Sequence, residues 1–302
     1  MRILITGGTG LIGRRLCKAL LADGHELTVL SRKPDSVAEK CGAGVHAIAS
    51  LREWQPQQAF DAVVNLAGEP IVDERWTEKR KQVLWDSRIT LTDELVRRIA
   101  AAERKPAVLL SGSAIGYYGG RGDEELDENS TAGNDFPARL CIAWEAAARA
   151  AESLGVRVCL QRTGLVLSTE GGLLGRMIPP FRLGMGTRVG DGRQWMSWVH
   201  IEDLIAIMLR LLRDEQMHGP YNATSPQPVT NAEFTRTLAS VLHRPAPFVA
   251  PAALLKLSMG ESASLLLEGQ RVLPKRLQAA QCRFAHPDLS NALGDLLSDS
   301  GD

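Results

Sequence analysis

The sequence predicts an α/β fold in which a doubly wound parallel sheet is joined to a smaller, mostly helical C-terminal domain. Short apolar runs alternate with helical patterns as far as residue 225, which is typical of parallel sheets. A glycine-rich turn, Thr6–Gly13, joins the first apolar run to the first helix. The 302 residues exceed what one compact core usually holds, and this indicates a main domain of the Rossmann type plus a second one.

The amino-acid composition of the chain argues against several classes of function. Lys plus Arg and Asp plus Glu number 35 each, without a long basic run, which argues against a nucleic-acid or membrane surface. No apolar run approaches the roughly 20 residues of a membrane span, and because the sequence starts directly in a predicted strand we expect no signal peptide. The five cysteines lack a CxxC motif and the six histidines lack an HExxH motif. We therefore expect a cytoplasmic protein with reduced thiols and no metal, acting on a small-molecule substrate as a monomer or homodimer.

The glycine-rich turn predicts a dinucleotide site. Gly7, Gly10 and Gly13 fall three residues apart, so the tight turn, the approach of a pyrophosphate and the contact between helix and strand each have one glycine. The start of the following helix offers free N–H groups and a positive dipole end to a phosphate. The predicted cofactor contacts here are Gly7, Thr9, Gly10, Leu11, Ile12 and Gly13. A merely structural turn is the alternative.

The tip of the second strand, residues 27–30, indicates which dinucleotide is bound. In such a fold an acidic residue at this tip accepts hydrogen bonds from the ribose and repels a 2′-phosphate. Here Ser31 precedes Arg32 and Lys33. Because a guanidinium holds a phosphate with two parallel hydrogen bonds, Ser31 and Arg32 favour NADP over NAD. The alternative is a solvated Arg–Lys pair.

Four more motifs carry a family resemblance: Asn65–Pro70 (NLAGEP), Ser111–Gly119 (SGSAIGYYG), Trp144–Glu145 and Gln270–Leu277 (QRVLPKRL). With the TGxxGxxG turn, they resemble the extended short-chain dehydrogenase/reductases over the whole chain. Within that family the chain is similar to an epimerase-like branch that carries a C-terminal domain of unknown function. The resemblance implies a cofactor site at the sheet and a smaller domain over the nicotinamide end.

Further strands are predicted at residues 45–48, 61–68, 107–110, 157–160 and 220–223. The strand over 61–68 ends in small residues, and the resemblance implies that Leu66, Ala67 and Gly68 touch the cofactor. It also implies a cofactor contact for Val166, which follows the strand at 157–160. Helices are predicted over residues 77–102 and 138–154. Arg88 lies on the first of them where relatives have an asparagine, and we expect it to contact the cofactor; an ordinary surface arginine is the alternative.

The usual proton-transfer pair is missing. The resemblance implies a tyrosine as general acid/base and a lysine four residues later, which lowers the pKa of the tyrosine. Alignment on Glu145 puts Pro137 at the tyrosine position and Cys141 at the lysine position. Proline transfers no proton, and a neutral thiol does not replace an ammonium group. The serine partner is retained as Ser113, and the candidate catalytic groups are Ser113, Tyr117, Tyr118 and Glu145.

Two functions remain open from these residues. One is an NADP(H)-dependent oxidoreductase or sugar-nucleotide-epimerase-like enzyme with non-standard catalytic groups. The other is a non-catalytic NADP(H)-binding sensor or regulatory protein. We divide the chain into a dinucleotide-binding domain, residues 1–167 plus 198–225, and a substrate domain, residues 168–197 plus 226–302, in which the Gly- and Pro-rich segment 177–192 is expected to form loops.

Overall fold

The computed structural model of the protein describes residues 1–298. Its strands are β1 (Arg2–Thr6), β2 (Glu26–Leu30), β3 (His46–Ile48), β4 (Ala62–Asn65), β5 (Val108–Ala114), β6 (Glu125–Leu126), β7 (Arg157–Thr163), β8 (Leu165–Leu167), β9 (Thr187–Val189), β10 (Trp195–Met196), β11 (Trp198–His200), β12 (Gly219–Ala223), β13 (Val229–Thr230), β14 (Phe248–Ala250) and β15 (Arg271–Val272). Its α-helices are α1 (Leu11–Ala22), α2 (Val37–Cys41), α3 (Glu78–Trp85), α4 (Leu91–Ala101), α5 (Phe136–Arg149), α6 (Gly172–Arg182), α7 (Ile201–Arg213), α8 (Asn231–Val241), α9 (Ala252–Met259), α10 (Ser264–Leu267), α11 (Lys275–Ala279) and α12 (Leu289–Ser298).

A seven-stranded sheet with the order β12-β7-β5-β4-β1-β2-β3 forms the centre of the fold. Every strand pair in it is parallel, which confirms the predicted α/β class. The chain winds outward from β1 in one direction and continues from β4 in the other. Ligands of such sheets bind beyond the carboxyl ends of the strands where this order reverses. The glycine turn after β1 and the Leu66–Gly68 segment after β4 meet at that point.

Helices cover both faces of the sheet because side chains of a strand alternate between its faces. In β1, Ile3 and Ile5 pack in one cluster with residues of α1 and α7, whereas Leu4 packs in another with residues of α4. The first cluster continues into the C-terminal part of the chain, where it includes Phe234 of α8 and Leu293 of α12. The smaller domain therefore shares its core with the sheet.

Short strand pairs extend the structure beyond the central sheet. β8 pairs with β11 and β9 pairs with β14, both in parallel, and β10 pairs with β13 in antiparallel fashion. β15 pairs with β6, so the Gln270–Leu277 segment lies against the loop that follows β5. Among residues 1–298, no helix is both long and apolar enough to cross a membrane.

The prediction of loops over residues 177–192 is wrong for its first part. Residues Gly172–Arg182 form α6, although Pro179 and Pro180 lie inside it. Each proline removes one helical hydrogen bond. The buried side chains Leu174, Ile178 and Phe181 lie on one face of the helix, and their packing outweighs that loss.

The helix predicted over residues 77–102 is found, with an interruption that its sequence pattern does not show. A π-helical turn, Asp86–Thr90, lies between α3 and α4. Such turns insert an extra residue and change the direction of the side chains, and they are frequent at functional sites. Arg88 lies in the middle of this turn.

Candidate functional site

The glycine turn is packed so tightly that two of its positions accept only glycine. Gly7 has φ +70°, and a Cβ atom there would lie 2.5 Å from the carbonyl oxygen of Leu66. A Cβ atom on Gly13 would lie 2.4 Å from the carbonyl oxygen of Gly7. α1 begins after Gly10 without a side-chain cap and without an acidic residue in its first turn. The first N–H groups of this helix are therefore free to bind an anion.

Buried polar groups hold the segment after β4 against this turn. The hydroxyl of Thr6 donates to Oδ1 of Asn65 at 2.7 Å and accepts from the backbone N–H of Ala67 at 3.2 Å. Nδ2 of Asn65 donates to Oγ1 of Thr92 at 2.8 Å. These bonds fix the path of Leu66, Ala67 and Gly68 beside the glycine turn.

The start of α6 brings two more of the predicted contacts together. A Cβ atom on Gly172 would lie 3.4 Å from a side-chain carbon of Leu11 and 3.6 Å from the carbonyl oxygen of Val166. Leu11 and Val166 thus approach the same point, one from the first turn of α1 and one from β8. Ile12 packs on the same core.

At the end of β2 lie the two residues that are predicted to determine the preference for NADP over NAD. Their side chains differ in solvent exposure. Ser31 is buried, and its hydroxyl accepts from the backbone N–H of Lys33 at 3.1 Å. The Arg32 side chain is 89 % exposed and pairs with Glu69 through Nη1 and Oε1 at 2.5 Å. Glu69 follows Gly68 directly, so the guanidinium of Arg32 reaches across to the segment after β4.

Arg88 lies at the same edge of the sheet. Its guanidinium occupies the space beside Gly68, where a Cβ atom would lie 2.9 Å from Cζ. Nη2 donates to the carbonyl oxygen of Glu69 at 2.9 Å, and Nη1 donates to the carbonyl oxygen of Leu84 and to Oγ of Ser87, both at 3.3 Å. Burial lowers the pKa of Arg88, although the nearby Cys141 and Glu69 act in the opposite direction. Within residues 1–298 it forms no ion pair with a carboxylate, so its charge is not neutralised.

The first turns of α5 carry the residues at the missing tyrosine and lysine positions. Pro137 is the second residue of the helix, and Asp135 caps the helix by accepting from the N–H of Ala138 at 2.8 Å. Cys141 follows one turn later and is buried. Burial, with a smaller effect of Glu145, raises the pKa of Cys141 to about 11, so the thiol is neutral near pH 7.

Ser113 and Glu145, two of the candidate catalytic groups, are hydrogen-bonded to each other, and Arg162 joins them. The hydroxyl of Ser113 donates to Oε1 of Glu145 at 2.8 Å. Nε and Nη2 of Arg162 bind the two carboxylate oxygens at 2.7 and 2.9 Å. Glu145 and Arg162 are both almost fully buried, so this is an internal bidentate ion pair between α5 and β7.

Arg162 also contacts Tyr117 and Tyr118. Its Nη1 donates to the hydroxyl of Tyr118 at 3.0 Å, and Tyr118 donates to Oδ1 of Asn222 at 2.7 Å. Burial raises the pKa of Tyr118 to about 12. The guanidinium lies 3.5 Å from the ring centroid of Tyr117. The half-buried Tyr117 hydroxyl has no hydrogen-bond partner among residues 1–298.

We call Ser113, Tyr118, Glu145, Arg162 and Asn222 the polar network, and it extends to the C-terminal segment. Nδ2 of Asn222 donates to the carbonyl oxygen of Leu273 at 3.0 Å. Sequence reasoning did not assign Arg162 or Asn222 to the site. An arginine inside the buried strand β7 needs a buried partner, and this requirement was the available signal.

One group of possible metal ligands is present within residues 1–298: His200, Glu202 and His286. Nδ1 of His200 accepts from the backbone N–H of Glu202 at 3.2 Å, so the ring proton lies on Nε2. Nε2 then has no lone pair for a metal ion. His200 caps α7 and stacks on His286 with ring centroids 3.9 Å apart, which fits a packing role.

We compared the chain with known proteins. The sequence model of the NAD dependent epimerase/dehydratase family matches residues 3–224, and that of a domain of unknown function (DUF1731) matches residues 250–296. The chain is 42 % identical over 295 residues to the epimerase family protein Mb2239 of Mycobacterium bovis, covering 97 % of this chain and 96 % of the relative. It is 40 % identical over 300 residues to the chloroplastic epimerase family protein SDR39U1 homolog of Arabidopsis thaliana, covering 97 % and 86 %.

A solved structure agrees over the whole length. The crystal structure of human epimerase family protein SDR39U1 (isoform 2) with NADPH has a TM-score of 0.89 and 36 % identity, covering 99 % of this chain and all of that chain. UDP-glucuronic acid 4-epimerase from Bacillus cereus has a TM-score of 0.77 at 16 % identity, which shows a shared fold only.

Proposed function

The chain belongs to the NAD dependent epimerase/dehydratase family, and we propose that it is an NADP(H)-dependent oxidoreductase or sugar-nucleotide-epimerase-like enzyme with a small-molecule substrate. This proposal rests on the arrangement of residues at the carboxyl end of the sheet. These residues are Gly7–Gly13, Leu66–Gly68 and Arg88. A Cβ atom on Gly7 or Gly13 would collide with the backbone, the first turn of α1 has no side-chain cap, and Arg88 has no carboxylate partner within residues 1–298. We call these three elements, with Ser31 and Arg32, the nucleotide end.

The residues of the nucleotide end fit a dinucleotide phosphate. The glycine turn and the N–H groups of α1 would hold the diphosphate, and Arg32 would hold a 2′-phosphate once it leaves Glu69. Arg88 lies beside Cys141, and we propose that it supplies the cation that the missing lysine supplies elsewhere in the family. When bound, the cofactor supplies hydride transfer. A human relative that was crystallised with NADPH supports the choice of NADP(H).

Tyr117 is the best candidate for the proton-transfer group. Its hydroxyl is free, whereas the hydroxyl of Tyr118 is buried between Arg162 and Asn222. Both carboxylate oxygens of Glu145 are bound by Arg162. We propose that Ser113, Tyr118 and Glu145 keep Arg162, and through it the ring of Tyr117, in position.

A non-catalytic NADP(H)-binding sensor is the second candidate function. The observation that favours it is the closed polar network itself: it leaves neither a tyrosine–lysine pair nor a free carboxylate at the position where the family transfers protons. In this case the protein would bind NADP(H) and report its presence without turnover.

A substrate screen that follows NADPH absorbance distinguishes the two functions. We expect slow turnover of generic alcohols and ketones, because general acid/base catalysis is commonly worth about 10²–10⁴ in rate. For a substrate that reacts, Tyr117→Phe should lower kcat by about 10² or more while the Kd of NADPH stays within about twofold. Turnover that does not depend on Tyr117 would refute its role. Tight NADPH binding without turnover of any carbonyl compound or sugar nucleotide would support the sensor.

A further inference from the structure

A second concave site lies in the C-terminal part of the chain, outside the nucleotide end and the polar network. It is a cavity of about 450 Å³ between α8, β9 and the segment that leads into β14. Three arginines line it: Arg188, Arg236 and Arg244. The remaining wall is mostly apolar and includes Phe248, and none of the described residues that line the cavity is acidic.

None of the three arginines forms an ion pair with a carboxylate in the described part of the chain. Arg188 donates from Nη1 to the carbonyl oxygen of Asp191 at 3.0 Å. Arg244 donates from Nε to the carbonyl oxygen of Arg182 at 3.0 Å. Carbonyl oxygens orient a guanidinium without cancelling its charge, so the cavity keeps a concentration of positive charge.

Contacts at a glycine also fix the position of Arg188. Gly192 has φ +76°, and a Cβ atom there would lie 2.6 Å from Cδ of Arg188 and 2.9 Å from Cβ of Ala232. The stem of Arg188 therefore packs closely against Gly192, in the turn that follows β9.

Thr235 adds an independent observation. This residue of α8 is 3 % exposed and lines the same cavity. Its Oγ1 is buried and has no hydrogen-bond partner among residues 1–298. A buried hydroxyl without a partner is costly, and a ligand that accepts its hydrogen bond removes that cost.

We propose that this cavity binds a small organic anion through the three arginines and the hydroxyl of Thr235. The anionic head is a phosphate, sulfonate or carboxylate, which matches guanidinium geometry. The body of the ligand is apolar or aromatic and packs on the apolar wall that includes Phe248. The site goes beyond the proposed function, because it contains no residue of the nucleotide end or of the polar network.

The test uses the fluorescent sulfonate 8-anilino-1-naphthalenesulfonate with the full chain, in the presence and absence of excess NADPH. We expect one dye molecule to bind per chain in the presence of NADPH. The double variant Arg236→Gln/Arg244→Gln should weaken its binding by about tenfold or more. The control Arg283→Gln removes another exposed arginine, one without an ion pair in the described part of the chain, and binding should stay within about twofold.

Thr235→Val separates a binding role from a structural one. Because Oγ1 has no partner, the variant should unfold at the same temperature as the parent or higher, while dye binding weakens by about fivefold or more. A clear fall in the unfolding temperature would show that the hydroxyl is already bonded, and would overturn the proposal.

Two competitors identify the head group. Displacement of the dye by phenyl phosphate indicates a phosphate ligand, and displacement by octanoate indicates a carboxylate. Displacement by neither shows binding of the dye only, and this overturns the proposal. The proposal is also overturned if NADPH abolishes dye binding, or if the double variant Arg236→Gln/Arg244→Gln binds the dye as tightly as the parent does.

Discussion

The nucleotide end and the polar network lie at the same edge of the sheet, but their polar groups are satisfied in opposite ways. At the nucleotide end, the first turn of α1 has no cap, and Arg88 donates only to carbonyl and hydroxyl oxygens. In the polar network, Glu145 and Arg162 satisfy each other while buried.

This difference distinguishes groups that are available to bind a ligand from groups that stabilise the fold. Free N–H donors and an unneutralised guanidinium gain stability when an anion arrives. A closed bidentate ion pair gains nothing from a ligand and loses much if one partner is removed. We therefore expect substitutions at the two regions to affect different quantities: cofactor affinity at one, stability at the other.

The largest effect is expected from Glu145→Gln. It leaves Arg162 buried without its counter-charge, which typically costs about 3–5 kcal/mol of unfolding free energy. Urea denaturation of the cofactor-free protein measures this loss. Glu152→Gln is the control, since Glu152 pairs with Arg149 at the surface and should cost about 1 kcal/mol or less. Unchanged stability with lost turnover would instead make Glu145 catalytic.

Arg88→Ala should mainly lower the affinity for the cofactor and should affect stability much less. Loss of a hydrogen bond to a charged partner costs about 1.5–3 kcal/mol, so NADPH binding should weaken tenfold or more. Calorimetric titration measures the affinity. Stability without cofactor should change far less than in Glu145→Gln. Arg98→Ala on the neighbouring helix α4 is the control, because its side chain pairs with Glu94. If Arg88→Ala binds NADPH like the parent, the cofactor contact is wrong.

The smallest effect concerns the choice between the two dinucleotides. NADP(H) should bind at least tenfold more tightly than NAD(H), about 1.4 kcal/mol, because Arg32 holds the 2′-phosphate. The double variant Ser31→Asp/Arg32→Ala should abolish or invert this preference. Glu69→Gln should keep it or strengthen it, since it removes the carboxylate that competes for Arg32. Equal dissociation constants for NADPH and NADH in the parent would contradict the assignment.

Local patterns predicted most of the fold. The turn Thr6–Gly13 could be read because strand, glycines and helix follow one another within one short stretch. The helix α6 was missed because its two prolines suggest loops, whereas the buried face that stabilises it is formed by tertiary packing. The π-helical turn at Arg88 has no pattern of its own in the sequence.

The polar network could be predicted only in part. Ser113 and Glu145 were proposed through the family resemblance, but Arg162, the partner of Glu145, is 17 residues from it and lies on a different element. Ion pairs between a helix and a strand leave no periodic signature. Only the structure therefore shows that Arg162 and Asn222 complete the polar network.

The bond from Asn222 to the carbonyl oxygen of Leu273 has a consequence for how the protein folds. Asn222 belongs to the segment matched by one family, and Leu273 belongs to the segment matched by the other. Tyr118 donates to Asn222 and packs in one cluster with Val272, and residues of both segments share a second core. We therefore expect the two segments to unfold in one cooperative transition, as a single thermodynamic domain.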